Sequence, residues 1–218
     1  MKKLDNQIFQ ERRNSFLSKL DGKAAIIPAA KLVQHHADCE YPFRQESNFW
    51  YLTGFDEPDA IALFLSHKPI GERFILFVNP KNIESEIWNG FRWGTNGAEC
   101  VFKADKSHPI SEFEKELPNY LIGADEIVFS IGKHPEIEPI VLNLWAKQID
   151  NYSRIGRAPM AIQPPGKYLN QMRLIKTKYE IGRMREAAII SAEAHELVRL
   201  NICHKNNEKQ IQGLLEGF

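Results

Sequence analysis

The feature that most constrains the fold is a set of short, continuous apolar runs. Three of them have the length of a β-strand: AAIIPAA at 24–30, AIALFL at 60–65 and RFILFV at 73–78. A strand with one wet face alternates apolar and polar residues, whereas an unbroken apolar run is typical of a strand covered on both faces. The runs therefore predict an α/β fold in which a mixed sheet is flanked by helices.

Other segments extend this pattern over about the first 150 residues. NFWYL at 48–52 and EIVFSIG at 126–132 are interpreted as two further strands. Residues 7–20 carry amphipathic spacing typical of a helix, and PEIEPIVLNLWAKQ at 135–148 predicts the helix that follows the last strand.

The sequence changes character after residue 157. RAPMAIQPPGKY at 157–168 holds three prolines and a glycine, which is typical of a connector rather than a helix. Beyond it, Thr177 and Glu180 form a T-x-x-E capping box, in which the hydroxyl and the carboxylate each satisfy an exposed amide. The box predicts a long helix from Thr177 to about residue 200.

This long helix carries more apolar surface than one contact needs. At about 100° per residue its apolar positions cover an arc of about 200°, roughly twice what a surface helix uses. A second stripe follows at Ile211, Leu214, Leu215 and Phe218. Both segments are expected to have partners, as the opening helices of a second, truncated domain would.

Composition restricts the function and the compartment. Lys plus Arg and Asp plus Glu each count 28, so no net field attracts nucleic acid or anionic lipid. The three cysteines are widely spaced and form no C-x-x-C pair, which favours a reducing compartment. The amino terminus lacks the apolar core of a secretory signal, and no run reaches the length of a membrane span. A cytoplasmic protein that binds neither nucleic acid nor membrane is expected.

Two histidine-containing segments are candidate metal sites. HHADCE at 35–40 gathers imidazoles, a thiol and carboxylates, but adjacent side chains point apart and no second cluster completes a ligand set, which favours a polar loop. HELVR at 195–199 begins like a zinc-protease motif but has Arg199 where the second histidine is needed. A packed or capping role is predicted for His195. A small hydrolase built on His35, Asp38 and His195 has almost no support.

Two further segments leave alternatives open. Asp56 and Asp59 in DEPD could share an ion, but the residue types favour a tight turn between strands. EIWNGFRWG at 86–94 concentrates large aromatics in a loop. A binding or interface loop and a hydrophobic plug folded back on the body are equally compatible with it.

Three segments resemble one family. ADCEYPFRQESNFWYLTGFDEPDA at 37–60, ESEIWNGFRWG at 84–94 and MRLIKTKYEIGRMREAA at 172–188 are similar, in this order, to the amino-terminal half of Xaa-Pro aminopeptidase (aminopeptidase P). That family belongs to the creatinase, prolidase and methionine-aminopeptidase superfamily.

The resemblance implies two domains and a metal-dependent peptidase. Residues 1–174 would form the ribonuclease-H-like amino-terminal domain, and 175–218 the incomplete start of the "pita-bread" catalytic domain. In the family, two divalent ions, typically manganese, are held by two Asp, one His and two Glu, and an activated hydroxide cleaves the bond before proline. These ligands lie beyond the entry helix, so no catalytic or metal-binding residue maps onto this chain, which is expected to be inactive alone.

The resemblance also implies a homo-oligomer. In relatives that assemble, the amino-terminal domain contributes to the interface and partly roofs a neighbour's active site. Trp88, with Arg92 nearby, matches the tryptophan of that loop. The alternative is a freestanding, non-catalytic interaction module that pairs with itself or with a full-length homologue.

Overall fold

The structure, a computed structural model, describes residues 6–203 and 207–218. It divides into two compact units, residues 1–170 and 171–218. The domain limits expected from the sequence, 1–174 and 175–218, stay a prediction. The prediction that the amino terminus is not a secretory signal rests partly on residues 1–5, which lie outside the described residues.

The first unit contains helices and strands in mixed order. In chain order they are α1 (Asn6–Leu20), β1 (Ala24–Pro28), β2 (Gln34–His36), β3 (Cys39–Glu40), α2 (Ser47–Thr53), β4 (Ile61–Leu65), β5 (Phe74–Val78), α3 (Ile83–Asn89), α4 (Gly94–Cys100), β6 (Lys106–Pro109), a 3-10 turn (Ile110–Glu112), α5 (Phe113–Leu121), β7 (Ile127–Val128), α6 (Glu138–Asp150), α7 (Tyr152–Ile155) and β8 (Ile162–Gln163).

Six strands form the central sheet in the order β6-β5-β4-β1-β7-β8. β4 is antiparallel to both β1 and β5, whereas the pairs β5–β6, β1–β7 and β7–β8 are parallel. All residues of β1, β4 and β5 are buried, because side chains from helices cover both faces. The predicted mixed α/β sheet is therefore confirmed, together with its three unbroken apolar strands.

The predicted strand at 48–52 is wrong. These residues form part of α2, a two-turn helix that buries Phe49, Tyr51, Leu52 and Thr53 but leaves Trp50 40% exposed. The Glu46 carboxylate caps it by accepting hydrogen bonds from the Asn48 and Phe49 amides, both at 2.7 Å. Gly54, at φ 66°, ends it in the left-handed region that glycine tolerates. A short buried helix and a buried strand can both have an unbroken apolar run, so this pattern does not distinguish them.

Two other segments differ from their predictions in detail. The strand predicted at 126–132 is limited to Ile127–Val128, and the helix predicted at 135–148 begins at Glu138 and ends at Asp150. HHADCE is more ordered than a loop: it forms the hairpin of β2 and β3, and all five strand residues are exposed.

The second unit is helical. α8 (Gly166–Leu174) crosses the boundary between the units, and α9 (Lys178–Asn201) and α10 (Glu208–Glu216) follow. The capping box is confirmed: the Thr177 amide donates to Glu180 Oε2 at 2.7 Å, and the Glu180 amide donates to Thr177 Oγ1 at 3.2 Å. Among the residues described, no helix has both the length and the apolarity that a membrane crossing requires.

Candidate interaction site

The loops that follow most of the strands lie together at one end of the sheet. β1, β5, β6 and β7 run in the same direction, so their carboxyl ends meet there, beside the start of the antiparallel β4. We call this the carboxyl edge, at residues 28, 78, 109, 128 and 61. The β2–β3 hairpin follows β1 at this edge, and α3 follows β5. In open sheets of this type, ligands bind beyond the carboxyl ends of the strands.

α3 projects apolar side chains from the carboxyl edge. Asn82 caps the helix by accepting a hydrogen bond from the Ser85 amide at 3.2 Å, and Gly90, at φ 81°, ends it. No residue of α3 is buried. Ile83, Ile87 and Trp88 are 78%, 74% and 88% exposed. Large apolar side chains clustered on one exposed helix are typical of a contact surface.

The second tryptophan of the segment has the opposite environment. The Trp93 backbone amide donates to a Glu57 carboxylate oxygen, and its indole Nε1 donates to Asp56 Oδ1 at 3.3 Å. The Trp93 ring also meets Phe102 edge-to-face at 5.4 Å between centroids. Phe102 in turn contacts the fully buried Phe55 at 4.9 Å, which connects Trp93 to the core.

The structure gives the two halves of EIWNGFRWG different environments. Residues 86–89 are the end of α3 rather than loop, and the binding or interface interpretation of this part stays a prediction. Trp93 is folded back on the body, whereas Trp88, five residues earlier, faces solvent. Arg92 is half-buried, and its backbone amide donates to Glu86 Oε1 at 3.1 Å. The interface and gating roles of Trp88 and Arg92 stay predictions.

The carboxylates of DEPD hold the Trp93 side of this segment. Burial raises the pKa of Glu57 above its ordinary value; the Trp93 amide and Arg92 oppose this effect, while Asp56 and Glu86 add to it. Glu57 Oε2 is buried and has no hydrogen-bond partner among the residues that the structure describes. Asp59 adopts φ 55°, the left-handed conformation of a tight turn. These residues therefore form a tight connection, as predicted, but it joins α2 to β4 instead of two strands, and it also holds Trp93.

The Gln45 side chain has a structural role that the sequence did not reveal. Its side-chain oxygen accepts a hydrogen bond from the Ala30 amide at 2.7 Å. Its side-chain nitrogen donates to the carbonyls of Phe55 and Glu57 at 3.2 and 2.8 Å. Gln45 thereby joins the base of the hairpin to the turn that holds Trp93. Its only sequence signal was its place in the quoted YPFRQ run, which does not reveal these partners.

The histidines weighed as ligands lie in exposed positions. His35 packs edge-to-face on Tyr41 at 4.6 Å, on the hairpin. His195 is exposed on α9, and its Nδ1 lies 2.9 Å from the Ser191 carbonyl oxygen one turn earlier. Within residues 6–203 and 207–218, no group of three or more His, Cys, Asp or Glu is placed to hold a metal ion.

Comparison with known proteins supports the resemblance found in the sequence. The family model described as the aminopeptidase P amino-terminal domain matches residues 9–129. A Xaa-Pro aminopeptidase of Escherichia coli is 33% identical over 196 residues, which cover 89% of this chain and 44% of the relative. A Xaa-Pro aminopeptidase of Haemophilus influenzae is 34% identical over 197 residues, covering 89% and 43%.

Solved structures show the same fold. A zinc-substituted E. coli aminopeptidase P in complex with product matches with a TM-score of 0.91 and 31% identity, over 99% of this chain and 49% of that one. The chain therefore spans about half the length of the relatives that it matches.

Proposed function

The chain belongs to the aminopeptidase P family, and from this we propose that it forms the amino-terminal part of a metal-dependent, proline-specific aminopeptidase. The substrates would be peptides with proline in second position, from which the enzyme releases the first residue. Residues 1–174 would control access to the active site and support oligomerisation. Residues 175–218 would begin the catalytic domain.

We infer that the metal centre of such an enzyme is not formed by the described residues. Asp56 and Glu57 bind Trp93, and no three His, Cys, Asp or Glu within residues 6–203 and 207–218 are grouped to hold an ion. We propose that two divalent ions, manganese in the intact enzyme, are held by residues beyond those described, and that this chain alone is inactive. Cys39, Cys100 and Cys203 are exposed and form no disulfide among the described residues, which suits a reducing compartment and supports a cytoplasmic location.

The observation that carries the proposed role is the exposure of Trp88 on an anchored segment. An aromatic side chain that is 88% exposed keeps its apolar surface in water, and a partner that covers it gains the free energy of burying that surface. The Trp93 anchor keeps the segment in place, so covering Trp88 requires little further ordering of the backbone. Tryptophan in such a position is typical of a residue that dominates an interface.

The catalytic part of the proposal is tested by hydrolysis of an Xaa-Pro peptide. The purified 218-residue chain, supplied with manganese, is expected to give no turnover above the level with chelator. Chelator-sensitive turnover that co-purifies with the chain would place a functional metal site among these residues and contradict the proposal.

The role of Trp88 is tested in a chain that carries a complete catalytic domain behind these residues. Trp88→Ala should weaken assembly by about 30-fold or more, the effect of losing about 2 kcal/mol at an interface hot spot, and should alter peptide kinetics. Ile70→Ala is the matched control, since Ile70 is also 88% exposed but lies in the β4–β5 turn at the opposite edge. Unchanged assembly and kinetics in Trp88→Ala would overturn this role.

The alternative, a freestanding interaction module, is supported by the exposed face of α9. Of the 24 residues of that helix, only Ala194 is buried. In an aminopeptidase the remainder of the catalytic domain would cover this face, whereas in a module a second copy would. Analytical ultracentrifugation of the chain with and without a complete catalytic domain separates the two. Self-association of the longer chain that depends on α9 would favour the module.

A further inference from the structure

A cleft lined by both polar and apolar side chains lies at the carboxyl edge, on the opposite side of β4 from α3. It has a volume of about 360 Å³ and lies where the parallel strands β1 and β7 end. Small-ligand pockets have volumes of roughly 300–1,000 Å³, so the cleft has room for a small metabolite. Ile27, Pro28 and Pro165 form its apolar side.

Three polar side chains of this cleft have no hydrogen bond to the protein. Across the part of the chain that the structure describes, neither Lys133 Nζ nor Ser130 Oγ has a hydrogen-bond or ion-pair partner, and the ring nitrogens of His134 have none either, although the His134 ring contacts Phe129 at 6.1 Å between centroids. All three follow β7 in one short loop. Unpartnered polar groups that face one cleft must be hydrated or bind a ligand.

The cleft also contains one charge of each sign. The Glu46 carboxylate lies at the amino end of α2, which it caps, and the Lys133 ammonium lies on the loop after β7. Both act on the His134 ring: burial lowers the His134 pKa, Lys133 adds to this effect, and Glu46 opposes it. The lining thus carries one positive and one negative charge, and burial favours the neutral form of His134.

We propose that this cleft binds a free α-amino acid in its zwitterionic form. Lys133 and Ser130 would bind the ligand carboxylate, Glu46 would bind the ammonium, and the apolar side would accept an aliphatic side chain. A simple anion would meet the Glu46 carboxylate and a simple cation would meet Lys133, whereas a zwitterion satisfies both charges. An α-amino acid is also what the proposed peptidase would release. The idea that the cleft senses the product of the peptidase rests on the proposed function, whereas amino-acid binding itself does not.

Calorimetry and backbone amide NMR of the 218-residue chain test the proposal with L-leucine as the probe. Saturable binding below about 1 mM is expected, with shifts concentrated at residues 130–134 and 46–49. N-acetyl-leucine, which lacks the ammonium, and leucinamide, which lacks the carboxylate, should each bind at least about tenfold more weakly.

Variants connect the binding to the cleft. Lys133→Gln should weaken leucine binding about tenfold, while Lys147→Gln, an exposed lysine in the last turn of α6, should leave it unchanged. Glu46→Gln keeps an oxygen that can cap α2 and should weaken binding of leucine more than of N-acetyl-leucine.

Three results would overturn the proposal. They are no binding up to about 10 mM, equal binding of N-acetyl-leucine or inorganic phosphate, and binding that Lys133→Gln leaves intact. Each can be observed without peptidase activity. Failure here therefore leaves the proposed function standing, and loss of the proposed function leaves this site standing.

Discussion

The central sheet and α9 contain similar apolar residues but bury them very differently. All fifteen residues of β1, β4 and β5 are buried, five in each strand. α9 is longer, at 24 residues, and only Ala194 is buried. Unbroken apolar strands obtain cover on both faces within their own unit, whereas the wide apolar arc of α9 does not. The difference shows that the apolar pattern of an element predicts how much apolar surface must be covered, but not which part of the protein or which partner covers it.

The difference has an energetic consequence. At about 25 cal/mol per Å² of apolar surface, leaving several hundred Å² of α9 and α10 in water forgoes about 10 kcal/mol of stabilisation. The exposed apolar side chains include Tyr179, Ile181, Met184, Ile189, Ile190 and Leu200 on α9, and Phe218 just after α10. A covering partner, whether further catalytic domain or a second copy, would recover part of it.

The largest expected effect is a direct contrast between the two regions. Phe64 in β4 is fully buried, meets Phe16 edge-to-face at 5.4 Å and stacks on Phe74 at 5.2 Å. Phe64→Ala should lower the free energy of unfolding by about 3–5 kcal/mol, because it leaves a cavity among rings that cannot collapse. Ile190→Ala in α9, at a residue that is 58% exposed, should change it by less than about 0.5 kcal/mol.

Urea unfolding of both variants measures this contrast. A large loss in Ile190→Ala, of more than about 2 kcal/mol, would mean that a second copy already covers α9 under the conditions of the experiment. Repeating the measurement at a tenfold lower protein concentration would then identify the association, since stability that depends on a second copy falls on dilution.

The sequence predicted the sheet better than the candidate site, for physical reasons. An unbroken apolar run reports burial directly, so β4 and β5 could be placed within one residue. The same run at 48–52 reports burial but not backbone conformation, which the Glu46 cap and Gly54 decide. Composition could not distinguish Trp88 from Trp93 either, because the choice depends on Asp56 and Glu57, more than 30 residues earlier.

The capping box of α9 should contribute a smaller amount. Thr177→Ala removes the hydroxyl that accepts from the Glu180 amide, so it should destabilise the start of the helix by about 1 kcal/mol. Because few contacts hold α9, the loss should be visible locally, as faster hydrogen exchange at the amides of Glu180 and Ile181, which donate to the hydroxyl and the carbonyl of Thr177.

Thr177→Ser is the matched control, because it keeps the hydroxyl. It should leave exchange at these amides within about twofold of the unmodified chain. Equal protection in Thr177→Ala would show that the helix start is held by something other than the box. It would weaken the contrast between a packed sheet and a helix that depends on its own caps.

The smallest expected effect concerns the anchor of Trp93 and depends on pH. Burial raises the pKa of Glu57 in the folded state above its value in the unfolded chain. The stability that this group contributes is therefore fully present below the unfolded pKa, about 4.3, and is lost as pH rises through the folded pKa. Glu57→Gln keeps an oxygen that can accept from the Trp93 amide and removes the titration.

Glu57→Gln should thus be more stable than the unmodified chain near pH 8, and the advantage should shrink toward about pH 4. Partial exposure and screening keep the difference below about 1 kcal/mol. Melting temperatures of both chains across this range measure it, and Glu193→Gln, on the exposed face of α9, corrects for the general loss of a negative charge. If Glu57→Gln instead loses stability at high pH, the ionised carboxylate is what holds Trp93. The segment that presents Trp88 would then be anchored by a charge and would loosen as the pH falls.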